Sequence, residues 1–221
     1  MGLDIKKVSC ETVDRYNARY QRYGLDVRSL GWGSKDQQEL RFLQTCEGPF
    51  DIKKYSVVDI GCGFADYLEF MRTVQKSESE YIGWDLNSTL LDEAKKKYHA
   101  DAKATFHLRD LMQPDFSSSN DSPLADIAVM LGLLNFNLGD SSDNYRYSEM
   151  AIDRALSLVS KGIVVDFLST YKTDAYPEEA SIFYHDPSRI LEYVFRNYDN
   201  VILKHNYAPI PQKEFMIFVE K

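Results

Sequence analysis

The sequence predicts an α/β fold, a doubly wound and mostly parallel sheet with helices on both faces, on three observations. From residue 55 onward, short apolar runs alternate with helically spaced segments. One of these runs, ADIAVMLGLL at 125–134, is apolar enough for a central strand covered on both sides. The last two strand-like runs, within NVILKHNYAPIPQKEFMIFVEK, have no helix between them and must pair antiparallel.

The elements follow in chain order. The first 30 residues are polar and tyrosine-rich (Tyr16, Tyr20, Tyr23) and read as a helical preface. In GWGSKDQQELRFLQTCEGP, Ser34 caps a helix, Gln37 completes the capping box and Gly48-Pro49 ends it. Leu40, Leu43 and Glu47 fall on one stripe of that helix, whose apolar part is expected to face the core. YSVVDI is a strand, ADYLEFMRTVQ a helix and EYIGWDL a second strand. NSTLLDEAKKKYH is a helix with Leu90, Leu91 and Ala94 inward, and ATFHLRDL a third strand ending at Asp110. The run Lys95-Lys96-Lys97 is the solvated side of its helix. A Ser/Asn/Pro loop precedes the central strand, and NYRYSEMAIDRALSLVSK is the next helix. KGIVVDFLS is a fifth strand, and DPSRILEYVFRN a helix capped by Asp186 with Pro187 at its first position. One domain over 1–221 accommodates all of this, with 1–50 as an N-terminal cap and 55–221 as the core.

Composition narrows the function. With 34 acidic against 26 basic residues the net charge is −8, against the basic face of a dedicated nucleic-acid binder. Cys10, Cys46 and Cys62 form no CxxC pair, so neither a metal site nor a disulfide framework is expected. The N-terminus has no apolar core of a signal peptide, and no run of 18 apolar residues occurs. A soluble cytoplasmic protein with no membrane partner is the expectation.

The glycine turn after the first strand carries the chemistry. In open α/β sheets, ligands bind beyond the carboxyl ends of the strands. Gly61 and Gly63 there permit close backbone approach. Asp85 ends the second strand, where a carboxylate can accept both vicinal hydroxyls of a ribose. Asp110 is placed to receive an exocyclic amine such as that of adenine. The turn reads G-C-G-F-A-D, without the third glycine of a nicotinamide fingerprint, and Asp59 stands two residues before it. A carboxylate there suits a cationic ligand group better than a diphosphate, so adenosine joined to an amino acid fits better than adenosine joined to phosphates. Cys62 is a small residue filling the turn.

These segments, VVDIGCGFADY, YIGWDLN, FHLRDLM and ADIAVMLGLLNF, resemble in order and spacing the motif series of class I S-adenosylmethionine-dependent methyltransferases. The resemblance covers roughly residues 30–221. It implies a Rossmann-like sheet of seven strands with the last antiparallel, and S-adenosylmethionine as cofactor. By position it implies that Asp59, Gly61, Cys62 and Gly63 line the methionine end and that Asp85 and Leu86 hold the ribose. It further implies that Asp110 and Leu111 flank the adenine, with Leu131 behind the sulfonium. Ala65 departs from the usual third glycine, although a methyl group should fit. GWGSKDQQELRF and the stretch FYHDPSRILEYV are similar to a bacterial subgroup of small methyltransferases, in which Trp32 and Arg41 would close over the cofactor. Arg41 would then pair with its carboxylate, the alternative being a surface salt bridge.

The acceptor is less legible. Residues 169–185, STYKTDAYPEEASIFYH, form a long aromatic loop of the kind that covers substrates, with Tyr171, Tyr184 and His185 as contacts. A loop packed on its own aromatics is the alternative. Asn135 can orient a polar acceptor or cap a turn, and His205 can serve as a base or as a structural histidine. No Asn-Pro-Pro-Tyr run follows the fourth strand and no Pro-Cys nucleophile is present, which favours a small-molecule acceptor over nucleic acid. The expectation is methyl transfer to a hydroxyl or carboxylate oxygen of a metabolite or sugar precursor. Transfer to a small amine, or a non-catalytic cofactor-binding subunit, are the alternatives.

Overall fold

The computed structural model describes residues 3–113, 122–171, 173, 178–207 and 213–221. The chain forms two compact units, Asp4–Ser117 and Ser118–Lys221, the latter with Met1–Leu3.

The first unit begins with α1 (Ile5–Tyr23), a single 3-10 turn at Val27–Leu30 and α2 (Lys35–Thr45). Then β1 (Val57–Ile60), α3 (Asp66–Thr73), β2 (Tyr81–Asp85), α4 (Ser88–Lys97) and β3 (Ala104–Leu108) alternate as expected. β2 lies between β1 and β3, parallel to both, with Asp59 opposite Gly83 and Trp84 opposite His107. Local chemistry sets the helix starts: Ser34 Oγ accepts from the Gln37 N–H at 3.2 Å, and Asn87 Oδ1 from the Leu90 N–H at 3.2 Å. All four residues of β1 are buried, and α4 buries Leu90, Leu91 and Ala94. Lys95, Lys96 and Lys97 are exposed and pair with neighbouring carboxylates.

Two expectations need correction. In α2, Leu43 is exposed and Leu40 half-buried; the buried face carries Gln38, Arg41, Phe42 and Thr45. Phe42 draws that face inward, standing edge-on to Tyr67 at 5.2 Å and packing with Phe70 at 5.7 Å. The third strand ends at Leu108, so Asp110 sits two residues into the following loop.

The second unit holds β4 (Ala125–Met130), α5 (Ser141–Leu158), β5 (Val159–Leu168), α6 (Pro187–Asn197), β6 (Asn200–Lys204) and β7 (Glu214–Glu220). β4 and β5 run parallel, while β7 is antiparallel to both β5 and β6. The apolar run at 125–130 is indeed almost wholly buried. Pro187 occupies the first turn of α6, capped by Asp186.

Candidate cofactor site

After Ile60 the chain leaves β1 through Gly61 at φ 81° and Gly63 at φ 53°, left-handed conformations that favour glycine. The Gly61 and Cys62 N–H groups both donate to the Trp84 carbonyl, at 2.8 and 2.9 Å, which fastens the turn to the end of β2. A Cβ added at Gly63 would lie 2.8 Å from Leu30 Cδ2. Cys62 is buried and fills space beside Gly83, whose missing Cβ would stand 3.0 Å from its Sγ. Burial and the nearby carboxylates push its thiol well above the ordinary value, so it is no nucleophile. Ala65, in place of a third glycine, is also left-handed (φ 59°) and fully buried, so its methyl group does fit.

Asp85 is bound to this turn. The Gly63 N–H donates to Oδ2 at 2.8 Å and the Asn87 N–H to Oδ1 at 2.8 Å. The Leu86 N–H also acts on this carboxylate, and a carboxylate has about four acceptor positions, so it can still receive hydroxyl donors. Burial raises this carboxyl to about 6 against the pull of those backbone donors. Tyr16 of α1 is pushed up to about 12, by burial first and by the Asp85 charge second.

Asp59 is 4% exposed, and its Oδ2 accepts the Tyr81 hydroxyl at 2.5 Å. Desolvation raises it to about 7 despite that hydrogen bond, with the charges of Asp85 and Asp66 adding to the rise. Near neutral pH its charge is thus partial, not the fixed negative charge that the sequence suggests.

In the loop after β3, the Asp110 carboxylate accepts from the Met112 N–H on Oδ1 at 2.8 Å. On Oδ2 it accepts Ser9 Oγ at 2.6 Å and Gln113 Nε2 at 3.2 Å. Asp110 and Leu86 line one side of a cavity of about 430 Å³, and α1 forms the other. Leu111, next in the chain, is buried. Trp32 and Arg41 come together, the guanidinium 4.7 Å from the indole ring, while Arg41 Nη1 donates to the Gln37 carbonyl at 3.1 Å. Arg41 is 5% exposed.

The other candidates stand in the second unit. Leu131 follows β4 directly and is nearly buried; the next residue, Gly132, donates its N–H to Asp166 Oδ1 at 2.6 Å. Asn135 is also nearly buried, and its Oδ1 accepts the Leu168 N–H at 3.0 Å, so that oxygen braces the end of β5. His185, expected on a substrate-covering loop, is wholly buried instead. It sits among Phe167, Phe183 and Tyr145 with Nε2 3.0 Å from Ser148 Oγ, and burial lowers it to about 3, a neutral interior ring. Tyr184 is half-buried and its hydroxyl accepts the Glu179 N–H at 3.4 Å. Tyr171 is 59% exposed, its ring 5.9 Å from that of His205. Of loop 169–185, residues 172 and 174–177 lie outside the described residues.

Sequence reasoning missed Ser9 and Val13, Tyr81 and Leu30. Only folding puts them beside Asp110, Asp59 and Gly63, and no spacing in the sequence announces it. Among the described residues no cluster of three or more His, Cys, Asp or Glu could hold a metal ion, and no helix is long and apolar enough to cross a membrane.

Residues 57–143 match the family model described as a methyltransferase domain. No curated protein matches the chain in sequence. Among solved structures, it is similar to magnesium protoporphyrin IX methyltransferase from Synechocystis PCC 6803 with bound SAH (TM-score 0.65, 16% identity, 99% of this chain and 100% of that one). It is also similar to the N-methyltransferase NodS from Bradyrhizobium japonicum WM9 in complex with S-adenosyl-L-homocysteine (TM-score 0.62, 13% identity, 93% and 98%). A third match is the small RNA methyltransferase HEN1 (TM-score 0.60, 16% identity), where 85% of this chain covers 25% of that one. These likenesses establish the Rossmann-like α/β fold. Within that fold, residues 57–143 are the part that is similar to a methyltransferase domain.

Proposed function

We propose that the protein methylates a small-molecule acceptor at a hydroxyl or carboxylate oxygen, as in a metabolite or a sugar precursor, and works in the cytoplasm as a single methyltransferase domain. S-adenosylmethionine, when bound, supplies an electrophilic methyl group on a sulfonium. On this chain, Asp85 takes the ribose hydroxyls, and the Gly61–Gly63 turn leaves room for the methionine portion beside Asp59. Asp110, Leu86 and Leu111 hold the base, with Leu131 behind the sulfonium. Trp32 and Arg41 lie toward the cofactor carboxylate. Tyr171 and Tyr184 contact the acceptor, and Asn135 is an orienting amide.

The observation that carries the acceptor reading is His205. Its Nε2 is buried and has no hydrogen-bond partner among the described residues, and the ring packs near Phe215 and Tyr171. Burial and the charge of Lys213 lower it below the usual histidine value, which favours the neutral ring that a base must start from. A hydroxyl acceptor needs such a base in the displacement, and the remaining acceleration comes from alignment. The net charge of −8 opposes a nucleic-acid substrate.

The test is release of S-adenosylhomocysteine across a panel of hydroxyl, carboxylate and amine compounds, with RNA as a further arm. Turnover with oxygen acceptors, cut about 10²- to 10⁴-fold in His205→Ala with cofactor affinity unchanged, is expected. Turnover confined to amines or to RNA, or full activity of His205→Ala, would overturn it.

A further inference from the structure

Helix α1 meets the cofactor-side loops of its own unit along one stripe. Ser9 Oγ donates to Asp110 Oδ2 at 2.6 Å, beyond β3. The Val13 carbonyl and Asn17 Oδ1 accept from Asn87 Nδ2 at 3.3 and 3.0 Å, beyond β2. Tyr20 packs against Phe64 with ring centroids 5.9 Å apart, beyond β1. Positions 9, 13, 17 and 20 recur every three to four residues and so share a face of the helix. That one face touches the loop after each of the three strands. No residue of α1 is fully buried and its anchors are largely polar, so it is not a core helix. Between it and the strand ends lies the 430 Å³ cavity, with Ser9, Cys10 and Val13 on one wall and Leu86, Leu108 and Asp110 on the other. That volume lies within the range of small-ligand sites.

We propose that α1 is the outer wall of the pocket for the adenine base, with Val13 packing against the base and Ser9 positioning Asp110. The proposal rests on the assignment of Asp85 to the ribose and Asp110 to the base. The Asp110 hydrogen bonds give the reason for Ser9. Oδ2 is taken twice, by Ser9 and Gln113, whereas Oδ1 is taken once, by the Met112 N–H. A carboxylate has about four acceptor positions, and the one remaining on Oδ1 is available to an exocyclic amine. The Ser9 hydroxyl fixes the rotation of the carboxylate and hence the direction of that free position. Leu86 and Val13 offer apolar surface from opposite walls, as a planar base requires.

Three measurements on the full chain test this. Val13→Trp fills the cavity, and its affinity for S-adenosylhomocysteine by calorimetry falls at least about tenfold while its melting temperature stays near wild type. In a Cys46→Ser background Cys10 is the accessible thiol, Cys62 being buried. Saturating S-adenosylhomocysteine then slows alkylation of Cys10 by N-ethylmaleimide about tenfold or more. Ser9→Ala shrinks the preference for S-adenosylhomocysteine over its hypoxanthine analogue, which lacks the amine, and Ser9→Thr restores it. Wild-type affinity in Val13→Trp, unprotected Cys10, or an unchanged base preference in Ser9→Ala overturns the role of α1. Asp85→Ala separates the two levels: if it binds as tightly as wild type, the underlying ribose assignment fails. If it binds weakly while Val13→Trp binds normally, only the wall fails.

Discussion

Replacing Asp85 by asparagine keeps the shape of the side chain and removes its charge. In the native turn two backbone N–H groups, those of Gly63 and Asn87, each use a different carboxylate oxygen at 2.8 Å. An amide accepts only one of them and presents its own NH₂ to the other. The variant loses one buried acceptor, a cost of about 1–3 kcal/mol in stability. Toward a vicinal diol it exchanges charge-assisted bonds for neutral ones and gives up one acceptor position. That loss is about 2–4 kcal/mol, or roughly 30- to 1,000-fold in affinity. Calorimetric titration with S-adenosylhomocysteine at pH 8, alongside urea melts, measures both. Because burial holds the native carboxyl at about 6, wild-type affinity also declines as the pH falls through that value, while the variant shows no such step. Asp85→Asn binding within about threefold of wild type would refute the ribose assignment, since one lost charge-assisted bond alone exceeds that.

Other outcomes follow from the same geometry. Gly63→Ala, forced into φ 53° with its Cβ 2.8 Å from Leu30, should destabilise the protein by about 2 kcal/mol or more, read from its melting curve. Asp59 sits at about 7 when folded, above its value in the unfolded chain. The folded state therefore keeps a proton that the unfolded state releases between about pH 4 and 7, so this group's contribution is fully present below that window and lost as pH rises through it. Relative to Asp59→Asn, wild type should lose about 4 kcal/mol across the window in urea melts, and an absent slope difference would contradict the burial argument. Tyr81→Phe removes a side-chain donor to that carboxylate and should extend the loss to higher pH.

Much of the first unit is legible because local signals and burial agree there. Ser34 and Asn87 cap the helices they precede, and β1 is an apolar run because every residue in it is buried. The α2 leucine stripe misleads because the aromatic cluster of Phe42 with Tyr67 and Phe70 decides the buried face. Asp59 reads as a charge in sequence because nothing local shows that burial will desolvate its carboxyl and raise it to about 7. His185 lies in a segment rich in loop residues, yet Ser148 of α5 and the rings of Phe167 and Phe183 make it an interior residue. The role of α1 is hidden for the same reason, since contacts separated by 70 to 101 residues leave no periodic trace.

Helix α1, held by polar contacts and a ring pair, has no buried residue. Regions with few buried apolar contacts open at a small fraction of the global unfolding free energy. The amides of Ile5–Tyr23 should therefore exchange with solvent by a local opening that leaves β1 and β2 intact, whereas those of Val57–Ile60 exchange only with global unfolding. An enzyme whose pocket wall detaches by this sub-global route can admit and release a buried nucleoside without disturbing the sheet that carries it.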